Sequence, residues 1–259
     1  MGEHTDFWRE QSKTFDEAAD YYDRYRPGYP EELADCMVRE TGIVKGSRIL
    51  EIGAGSGKAT ELFAGKGYEI LCIEPGENLA EAGRRKFSHT NDVSFHVSRF
   101  EEWEEKKGYF DLAISAQAFH WVPKPAGFEK CASALKPGGY IGLFWNLYLH
   151  NGSPADNQLS KLNIAPFYTA EGCKQRIRQH VEEIKTSGYF KAPAVFEFPW
   201  KCTYNAEEYV GFARTGNAYL SLGAEERNRL DEKIRDIVGQ NGGVIERPYL
   251  CVLFLAQKR

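Results

Sequence analysis

No apolar run in these 259 residues approaches the roughly 20 residues that cross a bilayer as a helix, so no membrane partner is expected. Lys and Arg form no block, and the formal net charge is −4. Nucleic-acid binders show a basic patch or stripe, so no nucleic-acid partner is expected either. Six cysteines (Cys36, Cys72, Cys131, Cys173, Cys202 and Cys251) are scattered without a C-x-x-C pair. That spacing excludes the common zinc and redox motifs and does not form a disulfide framework. It fits buried thiols in a reducing compartment. The segment MGEHTDFWRE lacks the apolar stretch of a signal peptide, and Asp6 stands where myristoylation requires Ser or Thr. The expected location is the cytoplasm. Internal repeats and low-complexity tracts are absent.

What is there reads as a globular chain. Apolar residues make up 42% and charged residues 27%. The length suits one large α/β domain and buries a core without metals or cross-links. Pro30 and Gly42 bracket a helix over 30–41. Strand and helix signals then alternate. RILEIGA (48–54), YEILCIEP (68–75), VSFHV (93–97), YFDLAISA (109–116) and YIGLFWN (140–146) predict strands. KATELFAGKG (58–67), NLAEAGRRKF (78–87) and FEKCASALK (128–136) predict helices. Short apolar strands spaced by amphipathic helices indicate a parallel sheet covered on both faces, doubly wound by right-handed crossovers.

After Asn146 the pattern changes. Residues 147–172 lack periodicity. A helix is expected over 175–188, with Ile177, Val181 and Ile184 on one face. VFEFPWKCTY (195–204) predicts a strand whose Pro199 marks an edge or bulge. Asn205 and Glu208 form a capping-box signature opening a helix to about Arg214. Another helix is expected over 224–239, with Leu230, Ile234 and Ile237 inward, and YLCVLFLA (249–256) predicts a final strand. The expected fold is a Rossmann-like, seven-stranded, mostly parallel sheet with a small helical cap. A single domain spans 1–259: its core is 42–146 with 175–204 and 243–259, and its cap comes from 1–30 and 205–240.

The most informative segment is ILEIGAGSGKAT (49–60). Glycines let the chain turn tightly and approach a ligand, and the helix start beyond them offers free N–H groups. Three readings compete. A phosphate-binding P-loop requires Gly where Ile52 stands and Ser or Thr where Ala59 stands. A dinucleotide loop puts its third glycine where Lys58 stands. An E-x-G-x-G-x-G loop for S-adenosylmethionine (SAM) fits Glu51, Gly53, Gly55 and Gly57 best. Glu74 ends the second strand, where a carboxylate accepts from ribose hydroxyls.

ILEIGAGSGKAT, CIEPGENLAEAGRR, YFDLAISAQAFHWV and LKPGGYIGLFWN together resemble the class I SAM-dependent methyltransferases of the type 11 branch, over roughly 45–146. YDRYRPGYP and the stretch near 205–220 resemble the flanks of small-molecule members such as the trans-aconitate methyltransferases. The resemblance implies a SAM-dependent methyltransferase that yields S-adenosylhomocysteine (SAH) and methylates oxygen or nitrogen of a small molecule, a carboxylate among the options. A monomer or homodimer is expected. Glu51, Gly53, Gly55 and Gly57 then line the methionine end of SAM, and Glu74 with Pro75 the ribose. The family often has an acid near the adenine after the third strand. Here Arg99 stands there, leaving the Phe100 backbone and Glu101. Gln117 follows the fourth strand, where cofactor and acceptor meet.

His120 is either a structural residue or the general base for a hydroxyl acceptor; a carboxylate acceptor requires none. Trp121 and Trp145 are the expected acceptor wall. The aromatic cluster at 21–30 is either packing or a lid, with Tyr21 and Arg26 facing ligand and Arg26 gripping an acidic acceptor. No metal is expected, since no acidic-plus-Asn cluster or His pair follows the fourth strand. Two alternatives remain: a non-catalytic SAM-binding regulator, or a methyltransferase acting on a macromolecule. The latter is disfavoured because AQAFHW stands where an Asn-Pro-Pro-Tyr-like motif is expected.

Overall fold

Buried strands of a parallel sheet are apolar on both faces, and that sets the centre of this fold. β1 (Arg48–Ile52) and β4 (Phe110–Ala116) lie side by side and are buried almost throughout. In the computed structural model, which describes residues 19–259, seven strands form one sheet in the order β3-β2-β1-β4-β5-β7-β6. The others are β2 (Glu69–Glu74), β3 (Val93–Val97), β5 (Leu135–Tyr148), β6 (Ala194–Asn205) and β7 (Val244–Gln257). The pairs β1–β2, β2–β3, β1–β4 and β4–β5 are parallel. β6 is an edge strand, so Pro199, which lacks an N–H, is tolerated there. The strand order reverses between β1 and β4, and such a switch point opens a crevice at the carboxyl ends of the strands.

The chain divides into two compact units. The larger comprises 28–146, 174–198 and 251–259. It holds β1 to β4, most of β5, α2 (Glu31–Thr41), α3 (Glu77–Lys86), α4 (Ala126–Ala134) and most of α6 (Ala170–Thr186). Gly42 ends α2 in the left-handed conformation, as its position predicts. The expected helix over 58–67 is not formed. A 3₁₀ turn at Thr60–Leu62 stands there among irregular turns. Gly57, Gly65 and Gly67 all have positive φ, and the stretch between them is too short for the helix nucleus to be offset by propagation.

The smaller unit comprises residues up to Pro27, then 147–173 and 199–250. It contains α1 (Ala19–Tyr25), α5 (Pro154–Leu159), α7 (Ala206–Arg214), α8 (Asn217–Leu220) and α9 (Ala224–Gln240). Its core is aromatic, with Tyr148, Tyr204, Tyr209, Phe212, Tyr219 and Tyr249 buried beside Leu230, Ile234 and Val238. Gly211 is required on α7, because a Cβ there would lie 2.4 Å from the Tyr25 ring. α7 begins with the expected capping box of Asn205 and Glu208. The expected cap segment 205–240 falls in this unit, as do 19–27 of the other, whose residues 28–30 belong to the larger unit and whose residues 1–18 lie outside the described residues; residues 199–204 and 243–250 of the expected core also fall here. α5 occupies a stretch where no element is expected. Ser153 caps it and Pro154 opens it, and it is too short to display periodicity. All six cysteines are free thiols. Among the described residues, no helix is long and apolar enough to cross a membrane.

Candidate functional site

The glycine loop follows β1, and 117–121 follow β4, so both stand at the switch point of the larger unit. Gly53, Gly55 and Gly57 all adopt positive φ (68°, 58° and 83°). A Cβ on Gly53 would lie 2.5 Å from Ala118 Cβ, so the two loops touch there. A Cβ on Gly57 would lie 2.5 Å from the Phe87 ring. The Gly53 N–H donates to Ile73 O at 2.8 Å, tying the loop to β2. A cradle that only glycine fits is what a closely approached ligand requires.

Two carboxyls frame this loop. Glu51 is buried on β1 and accepts from Thr60 Oγ1 at 2.6 Å. Burial pushes its pKa up to about 8, with the charge of Glu74 adding to the rise. Glu74 is buried at the carboxyl end of β2. Its Oε2 accepts from Gly55 N and its Oε1 from Gly76 N, both at 2.8 Å. The carboxylate thus pins the glycine loop to the turn after β2. A carboxylate oxygen can accept more than one hydrogen bond, so a ribose hydroxyl can share this group with the backbone. Glu74→Ala is expected to weaken nucleoside binding by about 1.5–3 kcal/mol, measured by calorimetry. Unchanged affinity would exclude that role.

Pro75 is exposed beside Glu74. Phe100 is buried and stacks on Trp103, leaving its backbone as the polar group. Glu101 accepts from Arg99 Nη1 at 3.1 Å, so the arginine standing in the expected acid's place is itself neutralised. Gln117 takes a left-handed φ of 57°, rare for a residue with a side chain. Its N–H donates to Phe144 O at 3.0 Å, and Nε2 lies 3.5 Å from Asn146 O.

His120 sits on the 3₁₀ turn Phe119–Trp121. Trp145 Nε1 donates to its Nδ1 at 3.4 Å. The turn leaves His120 partly exposed, yet crowding of its ring by neighbouring atoms, then the charges of Arg176, His180 and Lys124, push its pKa down to about 4, against the opposing charge of Glu183. The ring is therefore neutral near pH 7, and with Nδ1 accepting, its proton belongs on Nε2. Trp121 lies against it at 4.9 Å between ring centroids.

Trp145 is held from behind by residues the sequence did not single out. His180, buried on α6, stacks on its indole at 4.0 Å with planes 5° apart. His180 Nδ1 meets Glu183 Oε2 at 3.1 Å, and Glu183 pairs with Lys124 Nζ at 2.7 Å. The His180 contact, more than the lysine, holds the Glu183 pKa down at about 2. The one available signal was spacing: His180 lies four residues before Ile184, on its buried side of the helix.

Tyr21 and Arg26 belong to the smaller unit. Arg214 Nη1 donates to Tyr21 Oη at 3.0 Å. Arg26 donates through Nη1 to Tyr148 Oη and through Nη2 to Thr215 O, both at 2.9 Å.

A doubly wound sheet with a glycine cradle after β1 and an acid ending β2 is the architecture of nucleotide-binding α/β folds, and it matches the Rossmann-like fold of the class I methyltransferases. Residues 49–139 match the methyltransferase domain family. An uncharacterised methyltransferase of Mycobacterium tuberculosis is 30% identical over 138 residues, 53% of this chain and 54% of that protein. The matched stretch thus spans about half the length of that relative. An uncharacterised methyltransferase of Schizosaccharomyces pombe is 29% identical over 248 residues, 92% of this chain and 94% of the other. A solved structure from Anaeromyxobacter dehalogenans, provisionally assigned as a type II methyltransferase, superposes with a TM-score of 0.62. It is 20% identical and covers 90% of this chain and 98% of its own.

Proposed function

We propose that this chain transfers a methyl group from SAM to a small-molecule acceptor. One observation carries the reading: the cradle of Gly53, Gly55 and Gly57 and the carboxyls of Glu51 and Glu74 meet at the switch point of one unit. Glu51 and the loop backbone hold the amino-acid end of SAM. Glu74, beside Pro75, holds the ribose, and the Phe100 backbone with Glu101 flanks the adenine. Gln117 borders the reacting centre. SAM supplies an already activated methyl electrophile, so the protein's task is to position the acceptor and exclude water.

In this reading His120 is a hydrogen-bond donor. A general base requires a free nitrogen lone pair, and the Nδ1 lone pair is engaged by Trp145. The Nε2–H suits an acceptor oxygen that already carries charge, such as a carboxylate. Trp145, clamped by His180, fixes the ring, and Trp121 forms a wall beside it. His120→Phe is expected to lower kcat about tenfold or more through the lost donor. At saturating SAM, the wild-type kcat is expected to stay flat from pH 5.5 to 7.5, because a pKa of about 4 leaves His120 neutral throughout. A rise centred near pH 6.5 that vanishes in His120→Phe would restore the general-base role.

The functional test is SAH formation from SAM with panels of carboxylic acids, phenols and amines. Turnover with one class supports the proposal and names the acceptor atom. Tight SAM binding without SAH from any panel favours the reading as a non-catalytic SAM-binding protein.

A further inference from the structure

The smaller unit buries a positive charge whose carboxylate-binding edge meets no acceptor among the described residues. Arg247, on β7, is fully buried. Four rings surround its guanidinium carbon: Phe167 at 4.2 Å, Tyr148 at 4.9 Å, Phe212 at 5.4 Å and Tyr209 at 5.6 Å. Nη1 donates to Tyr209 Oη. Among the described residues, Nε and Nη2 are buried and have no hydrogen-bond partner. No carboxylate pairs with Arg247 among the described residues. Asp156 acts on the Tyr209 phenol from a distance, but its Oδ2 accepts from Asn151 N at 2.7 Å.

Buried donors without acceptors are rare and costly. A guanidinium cannot escape that cost by releasing its proton. The rings favour the cation through their faces, but they offer no acceptor in its plane. Nε–H and Nη2–H lie along one edge of the planar group and point in parallel, which is the fork that grips a carboxylate at two points. A second guanidinium stands close by. Arg26 donates to Tyr148 Oη and lies 5.6 Å from the Phe212 ring, so the two arginines share both aromatic neighbours. Burial raises the Tyr209 pKa to about 12, so its phenol stays neutral and supplies no countercharge.

We propose that Arg247 is the receptor of a carboxylate ligand bound within the smaller unit, gripped side-on by Nε–H and Nη2–H beside Tyr209. A flat, singly charged group matches one planar fork among ring faces better than a tetrahedral phosphate does. The site stands on the smaller unit alone and does not depend on the transfer reaction.

The test uses the full chain with 15N-labelled arginine, titrated with acetate at constant ionic strength. One Nε–H resonance, absent from Arg247→Lys, is expected to shift saturably, and the melting temperature to rise with acetate. Arg247→Lys keeps the charge but loses the fork, so acetate is expected to bind at least about tenfold more weakly. Arg247→Met is expected to lose the acetate response while remaining at least as stable as wild type without acetate, since an apolar isostere removes an uncompensated buried charge. A resonance and melting temperature indifferent to acetate overturn the proposal, making Arg247 a packing residue only. Inorganic phosphate moving that resonance at lower concentration than acetate overturns the carboxylate assignment. If Arg247→Met does not fold, the wild-type titration and Arg247→Lys decide.

Discussion

Glu51→Gln is expected to stabilise the ligand-free protein at alkaline pH and at the same time to impair SAM binding. The folded-state pKa of Glu51 is raised from 4.5 to about 8, chiefly by burial. Folding therefore favours the protonated carboxyl. That contribution is intact below pH 4.5, and it is lost progressively as pH rises to about 8, where the fold must hold a buried charge. At 1.36 kcal/mol per unit, the advantage of Gln over Glu grows by on the order of 3–4 kcal/mol between pH 5 and pH 8. Denaturant melts of both proteins at the two pH values measure it. Binding moves the opposite way. An ammonium group on the ligand draws the proton off Glu51, so wild-type affinity should rise with pH towards 8, by at most about tenfold per unit. Glu51→Gln should flatten that dependence and lose about 1.5–3 kcal/mol of affinity, the worth of a hydrogen bond to a charged group. Equal pH dependence of stability in both proteins would show that Glu51 is ionised in the free fold.

Gly53→Val is expected to cost both stability and ligand. The position has φ of 68°, which a β-branched residue scarcely tolerates. Its Cβ would also lie 2.5 Å from Ala118 Cβ, in the loop that leads to His120. Left-handed strain of about 1–2 kcal/mol and overpacking of about 1–3 kcal/mol add to roughly 2–5 kcal/mol. The variant should melt well below wild type and show no calorimetric heat with SAH. A Gly53→Val protein with wild-type melting and affinity would remove the cradle from the argument.

The centre of the fold is legible in the sequence because strands buried on both faces are apolar at nearly every position, as in RILEI and FDLAISA. The capping box at Asn205 was equally readable, because its two side chains act on their own helix. Tertiary contacts decide the rest. The stretch 58–67 has helical composition, yet positive-φ glycines at both ends break it into turns. β7 begins at Val244, five residues before its apolar run, through a segment where a buried arginine and a proline disguise a strand. At the site, local pattern displays the glycines and Glu74. Sequence gives no hint that Trp145 occupies Nδ1 of His120, or that His180 braces Trp145. Those contacts join β5, α6 and the turn after β4, which are far apart in the chain.

The larger unit is expected to hold SAM on the loop from Glu51 to Gly57 with Glu74. Titration calorimetry of the full chain at pH 7.5 with SAH, NAD and ATP tests it most directly. SAH is expected to bind with a Kd in the micromolar range, roughly −8 kcal/mol, and NAD and ATP far more weakly. Binding of NAD or ATP in preference to SAH would contradict the account.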